Sequence, residues 1–222
     1  MKKIGVIAIC KKNDFEWLSR LQFSYVDSVE KSWAIAYIIP CNSLNLDHFI
    51  LEMDGFILPG ADEDICPSLY GQDNKWAKDC ILENDKFLLN VLGRVFHASK
   101  PIIGICKWHQ IINTYFGWTL NQHMDDDGKH LDVSKYGEVV HDVDIIKDSF
   151  LYEAFWQDIL WVNSAHHQCV DILWKDLKVT AKSTDGFIES IEHINKPIYG
   201  FQWHPERMSD HLPIFKKFIE KI

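Results

Sequence analysis

The sequence lacks an excess of positive charge and has no apolar run of membrane-spanning length. Lys and Arg number 23 against 32 Asp and Glu, which gives a formal net charge of −9. Nucleic acids and anionic membranes both select a basic face, so we predict neither as a partner. No apolar stretch approaches the length that crosses a bilayer. A small molecule is the partner that this composition favours.

The six cysteines have neither the paired spacing of a metal site nor the density of a secreted disulfide framework. They are Cys10, Cys41, Cys66, Cys80, Cys106 and Cys169. This usage is typical of the reducing cytoplasm, which is the location we predict. We expect no cofactor and no metal ion. We predict that residues 121–138 form a surface loop over the site, and the acidic run 125–127 within it lacks the alternating ligands of a calcium loop.

Strand and helix patterns alternate along the chain, without a linker, repeat or low-complexity tract. This alternation predicts one α/β domain over residues 1–222, with a mostly parallel central sheet and helices on both faces. The predicted strands are 4–9, 33–39, 55–58, 139–146, 177–183, 187–193 and 197–203, and the predicted helices are 25–32, 44–52, 74–98, 149–155 and 210–222.

The chain is organised around a single cysteine. A short apolar run from Pro101 leads into Gly104, and a helical apolar rhythm follows Cys106. This pattern predicts a buried strand, a sharp turn and a helix, with Cys106 at the turn. The first helical N–H groups then point toward the sulfur, and this position favours the thiolate. Cys106 is our candidate nucleophile.

A second stretch supplies the partners that a nucleophile needs. Residues 199–203 form a strand pattern that ends in His204, Pro205 and Glu206. A base and a carboxylate two residues apart complete the three parts of an activated-nucleophile site. We predict that His204 deprotonates Cys106 and that Glu206 orients His204.

These motifs resemble the class I glutamine amidotransferase-like superfamily. Gly104, Cys106 and Gln110, followed by the Gln-Trp-His-Pro-Glu run 202–206, carry this resemblance. The stretches 58–62, 67–71 and 162–168 are more narrowly similar to the gamma-glutamyl-gamma-aminobutyrate hydrolase family. The motifs occur in family order between residues 4 and 206.

The resemblance implies a flavodoxin-like α/β fold with a cysteine nucleophile elbow. It also implies hydrolysis of a gamma-glutamyl amide through a glutamyl thioester, and suggests a place in polyamine catabolism. The implied oxyanion hole consists of main-chain N–H groups of Gly60, Ala61 and Lys107. The implied substrate-binding residues are Gln110, Ser164, His166, His167 and Gln168. The adjacent histidines should face opposite sides of an extended segment, so we do not expect them to share a metal ion.

Two positions depart from the family pattern. Trp108 and Trp118 stand where the family usually has glycine. Their bulk could reshape the acyl pocket, change the accepted amine or disable the turn. Because Cys106, His204 and Glu206 are all retained, we favour altered specificity over lost activity.

Two alternatives and the oligomeric state stay open. The chain is either a stand-alone hydrolase or a glutaminase subunit that passes ammonia to a separate synthase. A third interpretation is a binding or regulatory protein on an inactive scaffold. A homodimer is compatible with each of them.

Overall fold

A nine-stranded sheet forms the centre of the molecule. The computed structural model describes residues 1–12, 16–41, 43–124, 130–131 and 137–222. Most of the predicted surface loop 121–138, including the acidic run 125–127, lies outside these residues. The strands are β1 (Lys3–Ile7), β2 (Ile9–Lys12), β3 (Trp17–Arg20), β4 (Ile35–Ile39), β5 (Gly55–Leu58), β6 (Ile102–Ile105), β7 (Leu120–Asn121), β8 (His141–Ile145), β9 (Ile159–Val162), β10 (Cys169–Val170), β11 (Leu177–Ser183), β12 (Ile188–His193) and β13 (Ile198–Phe201).

The central sheet has a parallel part and an antiparallel part. Its order is β4-β1-β5-β6-β13-β12-β11-β8-β9, and the pairings from β4 through β13 are parallel. The remaining strands run antiparallel, as the predicted meander of the last three strands requires. Antiparallel strands can be joined by tight turns, whereas parallel ones need helical crossovers. Strands β11, β12 and β13 accordingly follow one another without an intervening helix, whereas a short helix lies between the antiparallel strands β8 and β9.

Helices cover both faces of the sheet, which confirms the predicted α/β class. They are α1 (Phe23–Glu30), α2 (Leu46–Glu52), α3 (Leu82–His97), α4 (Lys107–Tyr115), α5 (Phe150–Phe155) and α6 (Leu212–Glu220). One apolar cluster contains residues of α1, α5 and α6. The other contains residues of α2, α3 and α4. Each amphipathic helix buries its apolar stripe against the sheet, and this burial is the main stabilising contribution to the fold.

Helix α3 is shorter than its apolar pattern predicts. It begins at Leu82 rather than at residue 74. The N–H groups of Lys75 and Trp76 donate to the Gln122 side chain, and the N–H of Lys78 donates to Asp64. Because these donors already have side-chain acceptors, the segment takes an irregular path across the surface instead of a helical one.

A short hairpin follows β1, in a segment for which the sequence pattern predicted no secondary structure, and a disulfide lies beside it. Strands β2 and β3 pair antiparallel, and a disulfide joins Cys10 of β2 to Cys41 beyond β4. The cysteine spacing did not predict this pairing, because the two residues are 31 positions apart in sequence and meet only in the fold. Among the described residues, no helix is both long and apolar enough to cross a membrane. The cytoplasmic location stays a prediction.

Substitution of Trp108 provides a test of how the core beneath α4 is packed. Its side chain is 3% exposed and belongs to the cluster shared by α2, α3 and α4. We expect Trp108→Ala to lower the free energy of unfolding by about 3–5 kcal/mol, because truncation removes buried apolar surface and leaves a cavity. Urea denaturation followed by circular dichroism measures this change.

The matched control is Trp76→Ala, since Trp76 is 60% exposed. We expect this change to cost less than about 1 kcal/mol. Equal losses for the two variants would contradict the placement of Trp108 in the core.

Candidate active site

Three neighbouring strands of the parallel part end at the same edge of the sheet. Strands β5, β6 and β13 are adjacent, with Leu58 opposite Gly104 and Phe201 opposite Ile105. The segments that leave them carry Gly60, Cys106 and His204, respectively. Ligand crevices of α/β sheets lie at the carboxyl ends of the strands. Residues far apart in sequence are thereby brought to one place.

Cys106 occupies a sharp turn between β6 and α4. Its φ of 53° and ψ of −108° place a non-glycine residue at positive φ, which is a strained backbone conformation. The Cys106 N–H donates to the Phe201 carbonyl at 2.7 Å, and this bond holds the turn against β13. A Cβ on Gly104 would lie 3.1 Å from the Trp108 backbone, so glycine is needed for α4 to pack this close. The predicted nucleophile elbow is present.

His204 and Glu206 form a buried pair beside the cysteine. His204 Nδ1 lies 2.8 Å from Glu206 Oε1. Asn163 fixes the histidine backbone, because its side chain accepts from the His204 N–H and donates to the His204 carbonyl, each at 2.8 Å. Arg207 Nε lies 3.3 Å from the same Glu206 oxygen. The imidazole is therefore oriented from both its ring and its backbone.

The electrostatics of this pair favour a charged imidazole. Burial acts to lower the pKa of His204, but the charge of Glu206 and interactions with Cys106 outweigh it and raise this pKa to about 9. Burial likewise opposes ionisation of Glu206, yet His204 holds the pKa of that carboxyl below its usual value. A cationic imidazole beside the sulfur is the arrangement that promotes a thiolate nucleophile.

The three predicted oxyanion donors are not equivalent. The Gly60 N–H already donates to the Tyr25 hydroxyl at 3.0 Å. Burial raises the pKa of Tyr25 well above its usual value, so this hydroxyl stays protonated. The N–H groups of Ala61 and Lys107 have no hydrogen-bond partner in the described parts of the chain. Gly60 instead provides space, because a Cβ there would lie 2.8 Å from His204 Cε1 and 3.0 Å from Cys106 Cβ.

The side chain of Lys107 is buried behind the nucleophile. Its Nζ lies 2.7 Å from Asp85 Oδ1, and the two side chains are 2% and 1% exposed. The same Nζ contacts the Asp64 carbonyl at 3.5 Å. This ion pair joins the start of α4 to α3 and to the loop that follows β5. It thus fixes the spacing between Lys107 and Ala61.

The predicted substrate-binding residues all line one cavity together with Cys106 and His204. The cavity has a volume of about 670 Å³, and Cys106 and His204 form part of its wall. Its lining includes the five predicted side chains Gln110, Ser164, His166, His167 and Gln168. Small-molecule sites typically have this size and carry a few convergent polar groups.

The adjacent histidines face different partners, as predicted. His167 Nε2 lies 2.9 Å from Asp64 Oδ2. His166 is directed to the other side, with its Nε2 3.5 Å from Glu189 Oε1. A hydrogen bond fixes the side chain of Gln110, because its Nε2 donates to the Gln168 carbonyl at 3.0 Å.

Neither unusual tryptophan lines the cavity. Trp108 packs in the core on the α3 side of the sheet, and Trp118 is absent from the cavity lining. Direct contact of these side chains with the substrate is therefore not supported, and the altered specificity stays a prediction. A side chain one residue past the start of α4 points back toward the core, so bulk at Trp108 does not reach the substrate side.

The comparisons with known proteins decide the family. The family model described as Peptidase C26 matches residues 4–206. The chain belongs to the Peptidase C26 family. The resemblance inferred from the motifs is thereby confirmed, and the chain is of the glutamine amidotransferase-like and hydrolase type.

Several relatives of this C26 chain match over most of their length. A glutamine amidotransferase-like protein of Rickettsia prowazekii is 29% identical over 98% of this chain and 96% of its own length. A protein of Lactococcus lactis with the same kind of name is 30% identical over 88% and 85%, respectively. The gamma-glutamyl-gamma-aminobutyrate hydrolase PuuD of Escherichia coli is 25% identical over 98% and 90%.

A solved structure shares the fold. A crystal structure of a Thermoplasma acidophilum protein, named for one of the subunits of GMP synthase, superposes with a TM-score of 0.71 at 20% identity. The match covers 99% of this chain and 93% of the other. It confirms the α/β architecture.

Two residues of this C26 site were missed by the sequence reasoning. Tyr25 binds the Gly60 N–H, and Asn163 brackets the His204 backbone. Asn163 lies directly before Ser164 in the stretch 162–168 that carries the family resemblance. A polar residue at the end of an apolar strand is the signal that could have indicated its role. Nothing in the local sequence around Tyr25 indicates its role, because its partner is 35 residues away.

The pKa of His204 depends on Glu206. We expect Glu206→Gln to lower this pKa from about 9, because the charge that raises it most is removed. An NMR titration of the His204 Cε1 proton measures the change. A raised folded-state pKa means that the protonated imidazole stabilises the fold below about pH 6.5, and that this contribution disappears as the pH rises through about 9.

Glu52→Gln is the control, since Glu52 lies on the surface in an exposed ion pair with Lys3. It should leave the His204 titration unchanged. A wild-type pKa in Glu206→Gln would contradict the electrostatic account of the pair.

Gly60 is expected to be intolerant of any side chain. In Gly60→Ala the new Cβ must displace His204 or Cys106. We predict that alkylation of Cys106 by iodoacetamide at neutral pH slows by at least about tenfold, because small displacements of reacting groups have large effects on rate. Peptide mass spectrometry measures the alkylation at each cysteine.

The free cysteines Cys66, Cys80 and Cys169 provide internal controls in the same sample. If their labelling rises with that of Cys106, the variant is globally unfolded. Unchanged labelling of Cys106 would show that the close approach at Gly60 is unimportant.

Proposed function

We propose that this protein is a cysteine-dependent hydrolase of gamma-glutamyl amides, with gamma-glutamyl-gamma-aminobutyrate as the model substrate. The observation that carries the proposal is the convergence of Cys106, the His204–Glu206 pair and two main-chain N–H groups on one cavity. Nucleophile, oriented base and oxyanion donors are the parts that acyl transfer requires.

The reaction begins with attack of the Cys106 sulfur on the amide carbonyl carbon. The sulfur–carbon bond forms while the carbonyl electrons move to oxygen. The N–H groups of Ala61 and Lys107 stabilise this oxyanion, since they are preorganised and lack another acceptor in the described residues. The carbon–nitrogen bond then breaks, and His204 gives its proton to the departing amine.

Water completes the cycle. His204 takes a proton from water, which attacks the glutamyl thioester and releases glutamate and the Cys106 sulfur. Glu206 keeps the imidazole in one orientation through both halves of the reaction.

The polar wall of the cavity supports a glutamyl group as the acyl part of the substrate. Gln110 uses its Nε2 for the Gln168 carbonyl and Gln202 Oε1, which leaves its Oε1 for a substrate N–H. Arg20 contributes an exposed cationic side chain to the lining, and a glutamyl α-carboxylate is its natural partner. Ser164, His166, His167 and Gln168 form the opposite wall.

The competing function is a glutaminase subunit that supplies ammonia to a synthase. The names of the relatives from Rickettsia and Lactococcus, which refer to amidotransferases, favour it. It makes glutamine the substrate and a separate protein the stimulating partner, whereas the stand-alone hydrolase works without one.

The decisive experiment is glutamate release from gamma-glutamyl-gamma-aminobutyrate, other gamma-glutamyl amides and glutamine. We expect release from the amides and a loss of at least about 10³-fold in Cys106→Ala, because no other group replaces the nucleophile. Cys80→Ala is the matched control, since Cys80 is a free cysteine outside the cavity lining.

Release from glutamine alone would favour the glutaminase. Full activity of Cys106→Ala on the amides would refute the mechanism. Trapping with hydroxylamine, which converts a glutamyl thioester into a hydroxamate, checks the intermediate separately.

A further inference from the structure

A second cluster of titratable side chains lies directly behind one wall of the catalytic cavity. At its centre is Glu189 of β12, which is 0% exposed. Its Oε1 lies 3.4 Å from His130 Nδ1, 3.5 Å from His166 Nε2 and 3.9 Å from His141 Nε2. The proposed acyl-transfer chemistry does not use this carboxylate, and the sequence reasoning did not single it out.

The carboxylate is buried without close hydrogen bonds to compensate its charge. Its distances to the ring nitrogens of His130, His166 and His141 are 3.4 Å or more, and among the described residues the Nε2 atoms of His141 and His166 make no other hydrogen bond. Burying an ionised carboxylate is costly unless a cation or strong donors balance it. A positive charge is therefore required at this position.

In each imidazole, the ring nitrogen that does not face Glu189 lies near an oxygen acceptor. This contact fixes the tautomer. The pairs are His130 Nε2 with Asp185 Oδ2 at 3.2 Å, His141 Nδ1 with the Asp142 carbonyl at 3.1 Å, and His166 Nδ1 with the Gln168 carbonyl at 3.0 Å. Because the outer nitrogens donate, the inner nitrogens of neutral imidazoles present lone pairs to Glu189. Metal-ligating histidines characteristically donate their second N–H in this way.

At 3.4 and 3.9 Å, the separations of Glu189 Oε1 from His130 Nδ1 and His141 Nε2 equal or slightly exceed those between two ligands of one ion. Bonds of about 2.0–2.1 Å at a tetrahedral angle place two ligand atoms about 3.3–3.4 Å apart. His130, His141 and Glu189 each offer one atom, and these three atoms lie within 4.8 Å of one another. The rings of His130 and His141 are 4.4 Å apart between centroids, so they face the carboxylate side by side.

We propose that His130, His141 and Glu189 bind one divalent transition-metal ion, with a fourth position that faces His166. Two imidazoles and one carboxylate are a donor set suited to zinc and its neighbours rather than to calcium or magnesium. The proposal reverses the expectation of a metal-free protein. It does not depend on the reaction assigned to Cys106.

The ion has a structural consequence for the cavity wall. His166 and Ser164 line the cavity, and Ser164 Oγ donates to the His130 carbonyl at 2.8 Å. The His166 N–H donates to the same carbonyl at 2.9 Å. Fixing His130 with a metal bond would thus fix the wall that faces the substrate, and the ion would raise the stability of the folded state.

The first test is metal uptake by the full chain, without an affinity tag that contains histidine. Chelator-treated protein is titrated with Zn²⁺ and, separately, with Co²⁺, and bound metal is measured after dialysis. We expect about one ion per chain and an increase in the thermal unfolding temperature. Absence of stoichiometric uptake of either ion would overturn the proposal, because protonated imidazoles would then balance Glu189.

The second test identifies the ligands of the bound ion. The free cysteines Cys66, Cys80, Cys106 and Cys169 are the competing ligands. We expect Co²⁺ to give visible d–d bands without a thiolate charge-transfer band, and binding to survive alkylation of the cysteines. A thiolate band, or loss of binding after alkylation, would place the ion elsewhere and refute the site.

The third test uses variants. His141→Asn and Glu189→Gln should lose the ion, and Asp185→Asn should weaken binding by about 10–100-fold, because Asp185 orients His130. His48→Asn is the matched control at an exposed histidine. Wild-type affinity in His141→Asn would contradict the assignment. Should the core variants fail to fold, the stoichiometry and cobalt spectrum of the wild type decide the question.

Discussion

The strained backbone of Cys106 is the constraint on which the active site depends. A non-glycine residue at a φ of 53° costs free energy, of the order of 1–3 kcal/mol. The bond from its N–H to the Phe201 carbonyl and the packing of α4 on Gly104 stabilise this conformation. The turn lifts the sulfur away from the sheet and toward the cavity. It also brings α4 to begin at Lys107, directly beside the nucleophile.

Buried charges are concentrated around this turn. Lys107 pairs with Asp85, and His204 pairs with Glu206, all at low exposure. Glu189 forms a third buried centre on the far side of the cavity wall. Buried ion pairs contribute little net stability, because desolvation offsets their attraction. These charged groups orient backbone donors and imidazoles around the cavity that a purely apolar core would leave unconstrained.

The errors in the sequence-based prediction share one physical cause. The apolar rhythm of residues 74–81 is helical, yet side-chain acceptors from Asp64 and Gln122 capture the N–H groups of this segment. Trp108 was expected to affect the pocket because it stands where the family usually has glycine, whereas the direction of α4 turns it into the core. Local patterns report the propensity of a segment, but not the groups that the rest of the chain brings to it.

The sequence by itself determined the alternation of strands and helices, the nucleophile turn and the His204–Glu206 pair, because each is encoded by neighbouring residues. Only the tertiary structure decided that Tyr25 occupies the Gly60 N–H, that Asn163 brackets His204, and that imidazoles surround Glu189. These contacts join residues distant in the chain. Their geometry depends on strand order and register, which hydrophobic periodicity leaves undetermined.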